Sequence, residues 1–220
     1  MPHDGRLYLV LGDPGAGKDS FIYYNIHNRP FVLVQQTPNN ETMDNMAYLY
    51  DSDPGMVRAE KFVKEINREG FKHDGETYYN FAIFSRTNQV DFNPKIWKIM
   101  EEAQTLWLGD VNFWVRDYQR MQRFDIFVRN IRGRDQEVWG STHRARADVQ
   151  PFVYQYAKKI YWVGPFNDDD VKLKELYGKK SADLFGSFEE FSEKIRGLKK
   201  FNALDPNPEE SVLTVKDLEA

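Results

Sequence analysis

The chain has 220 residues, is 41% hydrophobic and 15% aromatic, and carries a net charge of −4 with four histidines and no cysteine. That length and apolar content predict one sizeable α/β domain with a full core and argue against disorder. The absence of cysteine rules out disulfides, thiolate metal sites and cysteine nucleophiles, and four scattered histidines make a histidine metal centre a poor expectation. No run approaches the length of a membrane span. Pro2, His3 and Asp4 ahead of an apolar strand lack the form of a signal peptide, so a cytoplasmic location is expected.

Leu7-Tyr8-Leu9-Val10-Leu11 opens the elements as a continuous apolar strand, the kind buried on both faces of a parallel sheet. Gly12-Asp13-Pro14-Gly15-Ala16-Gly17-Lys18 follows, and Phe21, Ile22, Tyr24 and Ile26 then give a helix an apolar side. Strand, glycine-rich turn and helix form the context that the G-x-x-x-x-G-K phosphate-binding pattern requires. Glycines let backbone N–H groups curl around phosphate oxygens, and the helix N-terminus adds its positive dipole end. Lys18 is then the point charge on the terminal phosphates. Where a Ser or Thr hydroxyl usually meets magnesium, this chain has Asp19, and Ser20 lies about 100° further round the helix. A carboxylate is a natural magnesium ligand, although it brings negative charge near the phosphates. ATP with Mg2+ is the cofactor pair these residues predict, bound by residues 12–20.

Further strands are expected at Phe31–Val34, Tyr78–Phe84, Thr105–Leu108, Glu137–Trp139 and Lys159–Val163. Helices are expected around Met56–Arg68, Pro94–Ala103, Asp117–Ile131 and Val149–Lys158. Their alternation implies a mainly parallel sheet with helices on both faces. Residues 36–55 are turn-rich and read as a surface excursion. After Gly164 the chain turns polar and helix-rich, with an amphipathic stretch over Ser187–Lys200, a late edge strand over Phe201–Leu204 and a loose end from Pro206. Residues 1–164 are therefore expected to form the core, and residues 165–220 a helix-rich appendage of the same domain.

Thr105-Leu-Trp-Leu-Gly-Asp110 is the best candidate for the second nucleotide strand, whose terminal acid holds magnesium. Two alignments stand. Asp110 is the magnesium acid, with Val111 where a water-activating Glu is expected; or Gly109-Asp110 replaces an Asp-Glu pair, with Asp19 compensating at the metal. Between Arg116 and Arg146 there are eight Arg, four acids and no Lys. Arginine suits bidentate phosphate or carboxylate contacts, and also serves a solvated helix face or the dipole of a helix C-terminus.

A strand ending in Ser141-Thr142-His143-Arg144, a segment with Asp148 and Pro151, a helix and an apolar strand together resemble the FtsK-HerA branch of P-loop ATPases. Within that branch the chain is similar to the small DNA-packaging ATPases of membrane-containing viruses, with Zot-like proteins nearby. The resemblance covers residues 6–164 and implies a P-loop NTPase three-layer sandwich with a mainly parallel central sheet. It places a polar sensor on Thr142 and His143 and an arginine finger, given across a subunit boundary, on Arg134 or Arg132. It also implies a homo-oligomeric ring that packages double-stranded viral DNA, with capsid or membrane-vertex proteins as further partners. His143 where Gln is usual and the reduced acidic pair depart from the family. Gly17-Lys18-Asp19 also resembles some P-loop kinases of nucleoside monophosphates, so a nucleotide kinase is the rival function, and a low-turnover assembly switch a third. A kinase would need an arginine-bearing lid, whereas Arg196 is the one arginine after Gly164.

Overall fold

The computed structural model describes residues 5–35, 46–50, 71–73, 76–78, 80–84, 94–115, 118–142, 151–164, 188–204 and 213–214. Eleven strands are found there: β1 Arg6–Leu11, β2 Val32–Gln35, β3 Met46–Tyr50, β4 Phe71–His73, β5 Glu76–Tyr78, β6 Asn80–Phe84, β7 Thr105–Leu108, β8 Glu137–Thr142, β9 Ala157–Val163, β10 Asn202–Leu204 and β11 Leu213–Thr214. The helices are α1 Lys18–Ile26, α2 Pro94–Glu102, α3 Val111–Val115, α4 Tyr118–Asn130, α5 Pro151–Tyr156 and α6 Phe188–Arg196, with a 3-10 turn at Arg132–Arg134. No helix among the described residues is long and apolar enough to cross a membrane.

Nine strands form one sheet in the order β11-β10-β9-β1-β8-β7-β2-β6-β3, and β4 with β5 makes a separate hairpin. All pairings from β9 to β3 are parallel; β10 and β11 are antiparallel additions. Alternation along β1 separates two cores. Leu7, Leu9 and Leu11 join Trp97 of α2, Trp114 of α3, Phe124 of α4 and Phe191 of α6. Tyr8 and Val10 face the other way, onto Phe21, Ile22 and Ile26 of α1. The sheet therefore lies between two helical layers, as the alternating pattern implied. Aromatic rings fill the α1 side, where Trp139 stacks on Tyr161 at 5.8 Å and Tyr8 meets Trp139 in a tilted contact at 4.5 Å between centroids.

Four local expectations are corrected. Met46–Tyr50, inside the expected excursion, is the outer strand β3, paired with β6 from Met46↔Asn80 to Tyr50↔Phe84. The apolar run Tyr78–Phe84 is divided, Tyr78 ending the β4–β5 hairpin and Asn80 starting β6. The strand begun at Lys159 starts at Ala157, directly after Tyr156 ends α5. Asn202–Leu204 is not the edge, because Leu213–Thr214 pairs beyond it. The expected helix at Met56–Arg68 lies outside the described residues.

Candidate nucleotide site

The phosphate loop begins where β1 ends. Asp13-Pro14-Gly15-Ala16 is a turn closed by Ala16 N–H donating to the Asp13 carbonyl at 3.1 Å, with Pro14 presetting its first corner and Gly15 at φ 75° its second. Gly17 caps α1 in the left-handed region at φ 101° with no side-chain cap bond, so the first N–H groups of α1 are not used up by a capping side chain. That leaves an anion-binding helix start facing the loop.

Lys18 is 4% exposed, and its Nζ donates to the carbonyls of Gly12 and Asp13, each at 2.9 Å. Burial lowers its pKa from the ordinary 10.5; the charges of Asp19, Asp13 and Asp110 oppose that shift. Asp110 lies just past the end of β7, a strand two places away, yet it acts on Lys18 because only β8 separates β1 from β7. The carboxylates of Asp13, Asp19 and Asp110 thus all bear on one buried ammonium.

Asp110 is oriented by its own segment. Its Oδ1 accepts the Asn112 N–H at 3.1 Å at the start of α3. Thr142 Oγ1, at the end of β8, donates to Asn112 Oδ1 at 3.0 Å, and Ser141 Oγ donates to the Gly109 carbonyl at 2.6 Å. The expected sensor Thr142 is therefore connected to Asp110 through Asn112. His143 lies outside the described residues. Asp110 is also the one carboxylate of its segment. Val111 is fully buried with its Cγ2 against Gly140, and Gln35 occupies the space that a side chain at Gly109 would need, its Cβ 2.6 Å from where a Cβ would stand.

No group of three or more His, Cys, Asp or Glu suited to a metal is found among the described residues. The hard oxygens of Asp19 and Asp110 nevertheless fit magnesium, which takes one or two carboxylates and completes its shell with phosphates and water. Asn112 and Gln35 had no role in the sequence expectations, and Ser141 entered them only within the Ser141–Arg144 motif. Asp110-Val-Asn112 has the spacing of an Asx turn, the one signal that pointed to Asn112.

Both candidate finger arginines sit at the far end of the sheet. Glu137 begins β8 beside Arg6, whereas Thr142 ends it beside Leu11; the six residues of the strand separate the two ends by about 17 Å. Neither Arg132 nor Arg134 reaches the loop of its own chain. Arg134 Nη2 lies 3.6 Å from Glu101 Oε2, while Arg132 is exposed and makes no ion pair among the described residues. Other arginines of the rich segment are held against their own chain. Arg120 is buried 4.4 Å over Phe113, Arg123 lies 4.9 Å over Trp97, and Arg129 pairs with Asp125 at 2.8 Å. Much of the segment is thus packing and helix-face pairing.

A strand, the Gly12–Lys18 loop and its helix, with an acid-tipped strand set two places away in a parallel sheet, define a P-loop NTPase fold. In its architecture the chain is similar to B204, the DNA-packaging ATPase of Sulfolobus turreted icosahedral virus, with a TM-score of 0.60 at 14% identity over 98% of this chain and 95% of that one. It is similar also to the genome-packaging NTPase B204 of Sulfolobus turreted icosahedral virus 2 in complex with ATP-gammaS, with a TM-score of 0.62 at 15% identity over 97% of each chain. No protein-family model matches the sequence, and neither does any curated protein.

Proposed function

We propose that this protein is an ATPase that drives double-stranded DNA into a viral capsid, working as a homo-oligomeric ring. The observation that carries the nucleotide chemistry is the buried Lys18 ammonium in its loop, under the charge of Asp110 from two strands away. Packaging is supported by likeness to the B204 packaging NTPases over nearly the whole of both chains. In this proposal the α1 N–H groups and Lys18 hold the β- and γ-phosphates of ATP, and Asp19 and Asp110 hold Mg2+, which neutralises charge on the phosphates. Asp110 is the one acid available at the end of β7. Hydrolysis then depends on positioning and on a cation supplied by a neighbour, with Arg132, exposed at the opposite end of the sheet, as the finger.

The test is ATP hydrolysis with and without linear double-stranded DNA, together with native mass in the presence of an ATP analogue. A closed ring with DNA-stimulated turnover, abolished by Asp110→Asn, is the expected result. A monomer that phosphorylates nucleoside monophosphates would instead establish the kinase alternative.

A further inference from the structure

Phosphates held between Gly12 and Lys18 leave the nucleoside to emerge over the rim of the loop, and one side of that rim is built by the distant C-terminal segment. Phe201 N–H donates to the Ala16 carbonyl at 2.9 Å, and the next residue, Asn202, accepts the Gly164 N–H at 2.7 Å as β10 begins. The Phe201 ring lies on Gly17, its Cε1 2.9 Å from where a Cβ would stand; the glycine required by the left-handed turn is also what admits the ring. Phe201 itself sits at φ 65°, a conformation that costs a bulky residue on the order of 1–3 kcal/mol and persists only where its surroundings impose it. A side chain that merely plugged the gap over Gly17 would be buried, yet Phe201 is 39% exposed. The other exposed large apolar side chains among the described residues, Tyr118 and Ile126, belong to α4. Lys200 Nζ lies 4.9 Å from the ring centroid, which places a cation beside the same rim.

We propose that Phe201 is the platform on which the base of the bound nucleotide stacks, with Lys200 beside it. This inference rests on the proposed nucleotide site and adds its base subsite. An aromatic face stacks on any base, so the platform selects a nucleoside triphosphate over inorganic phosphates without choosing between purines.

The test compares ATP, GTP and inorganic tripolyphosphate by calorimetry on the parent, Phe201→Ala and Phe201→Trp. Phe201→Ala is expected to weaken ATP and GTP by about 5- to 150-fold, as loss of one base stack does. Tripolyphosphate affinity stays unchanged, and Phe201→Trp restores ATP binding. Equal loss of ATP and tripolyphosphate would show that the ring only shapes the loop, and unchanged ATP affinity would show that it touches no base; either result overturns the proposal. A parent that binds neither ATP nor tripolyphosphate would instead overturn the nucleotide site itself, which is a separate outcome.

Discussion

Replacing Lys18 with methionine separates what this side chain does for the fold from what it does for a nucleotide. In the fold, its Nζ makes two hydrogen bonds to the Gly12 and Asp13 carbonyls at 2.9 Å. Charge-assisted bonds of this kind contribute about 1.5–3 kcal/mol each. Against them stands the cost of burying an ammonium, visible in its lowered pKa. The two terms largely offset, and methionine fills a similar volume, so unfolding free energy should change by less than about 2 kcal/mol. With ATP the balance is different. The variant loses a cation on the phosphates and leaves Asp13, Asp19 and Asp110 near them uncompensated. Two lost charge-assisted contacts correspond to about 3–6 kcal/mol, so ATP affinity should fall by at least about 100-fold. Calorimetric titration of ATP, alongside denaturant unfolding, measures both quantities. An ATP Kd within threefold of the parent in a folded variant would refute the placement of phosphate on this loop.

Three other outcomes are expected. Because burial depresses the Lys18 pKa, the unfolded chain binds the extra proton in the window between the depressed value and 10.5, so the parent gains stability relative to Lys18→Met as pH rises through it; unfolding curves of both proteins over alkaline pH check this. Val111→Glu, which restores the acidic pair expected from the sequence, should cost several kcal/mol of stability and add no ATPase activity, since that side chain is fully buried against Gly140; denaturant unfolding and a phosphate-release assay report the two effects. Mixing Arg132→Ala with Lys18→Ala should recover part of the ATPase activity that each lacks, as a finger given in trans is worth about 10³–10⁵ in rate; mixed rings that stay inactive would remove Arg132 from the site.

The loop, its strand and its helix were legible because a local pattern specifies them: apolar run, Pro-Gly corner, glycine cap, lysine. The strand ending at Asp110 was legible for the same reason. β3 was hidden because its five residues stand among Asn, Asp and Pro turn signals, and a five-residue strand is too short to outweigh such flanks. The Phe201 contact with Gly17 is a pairing across 184 positions of chain, set by β10 joining β9, and periodicity carries no information about it. The arginine-rich segment left two readings open in the sequence. Charge counts do not reveal that Arg120 and Arg123 lie on aromatic rings.

β8 is anchored at both tips. At its entry Gln136 Nε2 donates to the carbonyls of Met100 and, at 2.6 Å, Ala103; at its exit Ser141 and Thr142 bond to the segment that carries Asp110. Its flanks are laddered to β1 and β7 over their lengths, so it cannot slip register without breaking both ladders. Such a strand is a strut and not a slide. The Asp110–Asn112 corner and the Gln136 end of β8 are held in one rigid body, about 17 Å apart. A displacement at one end would reach the other only by carrying β1 and β7 with it, so the corner that holds Asp110 is as stiff as the centre of the sheet.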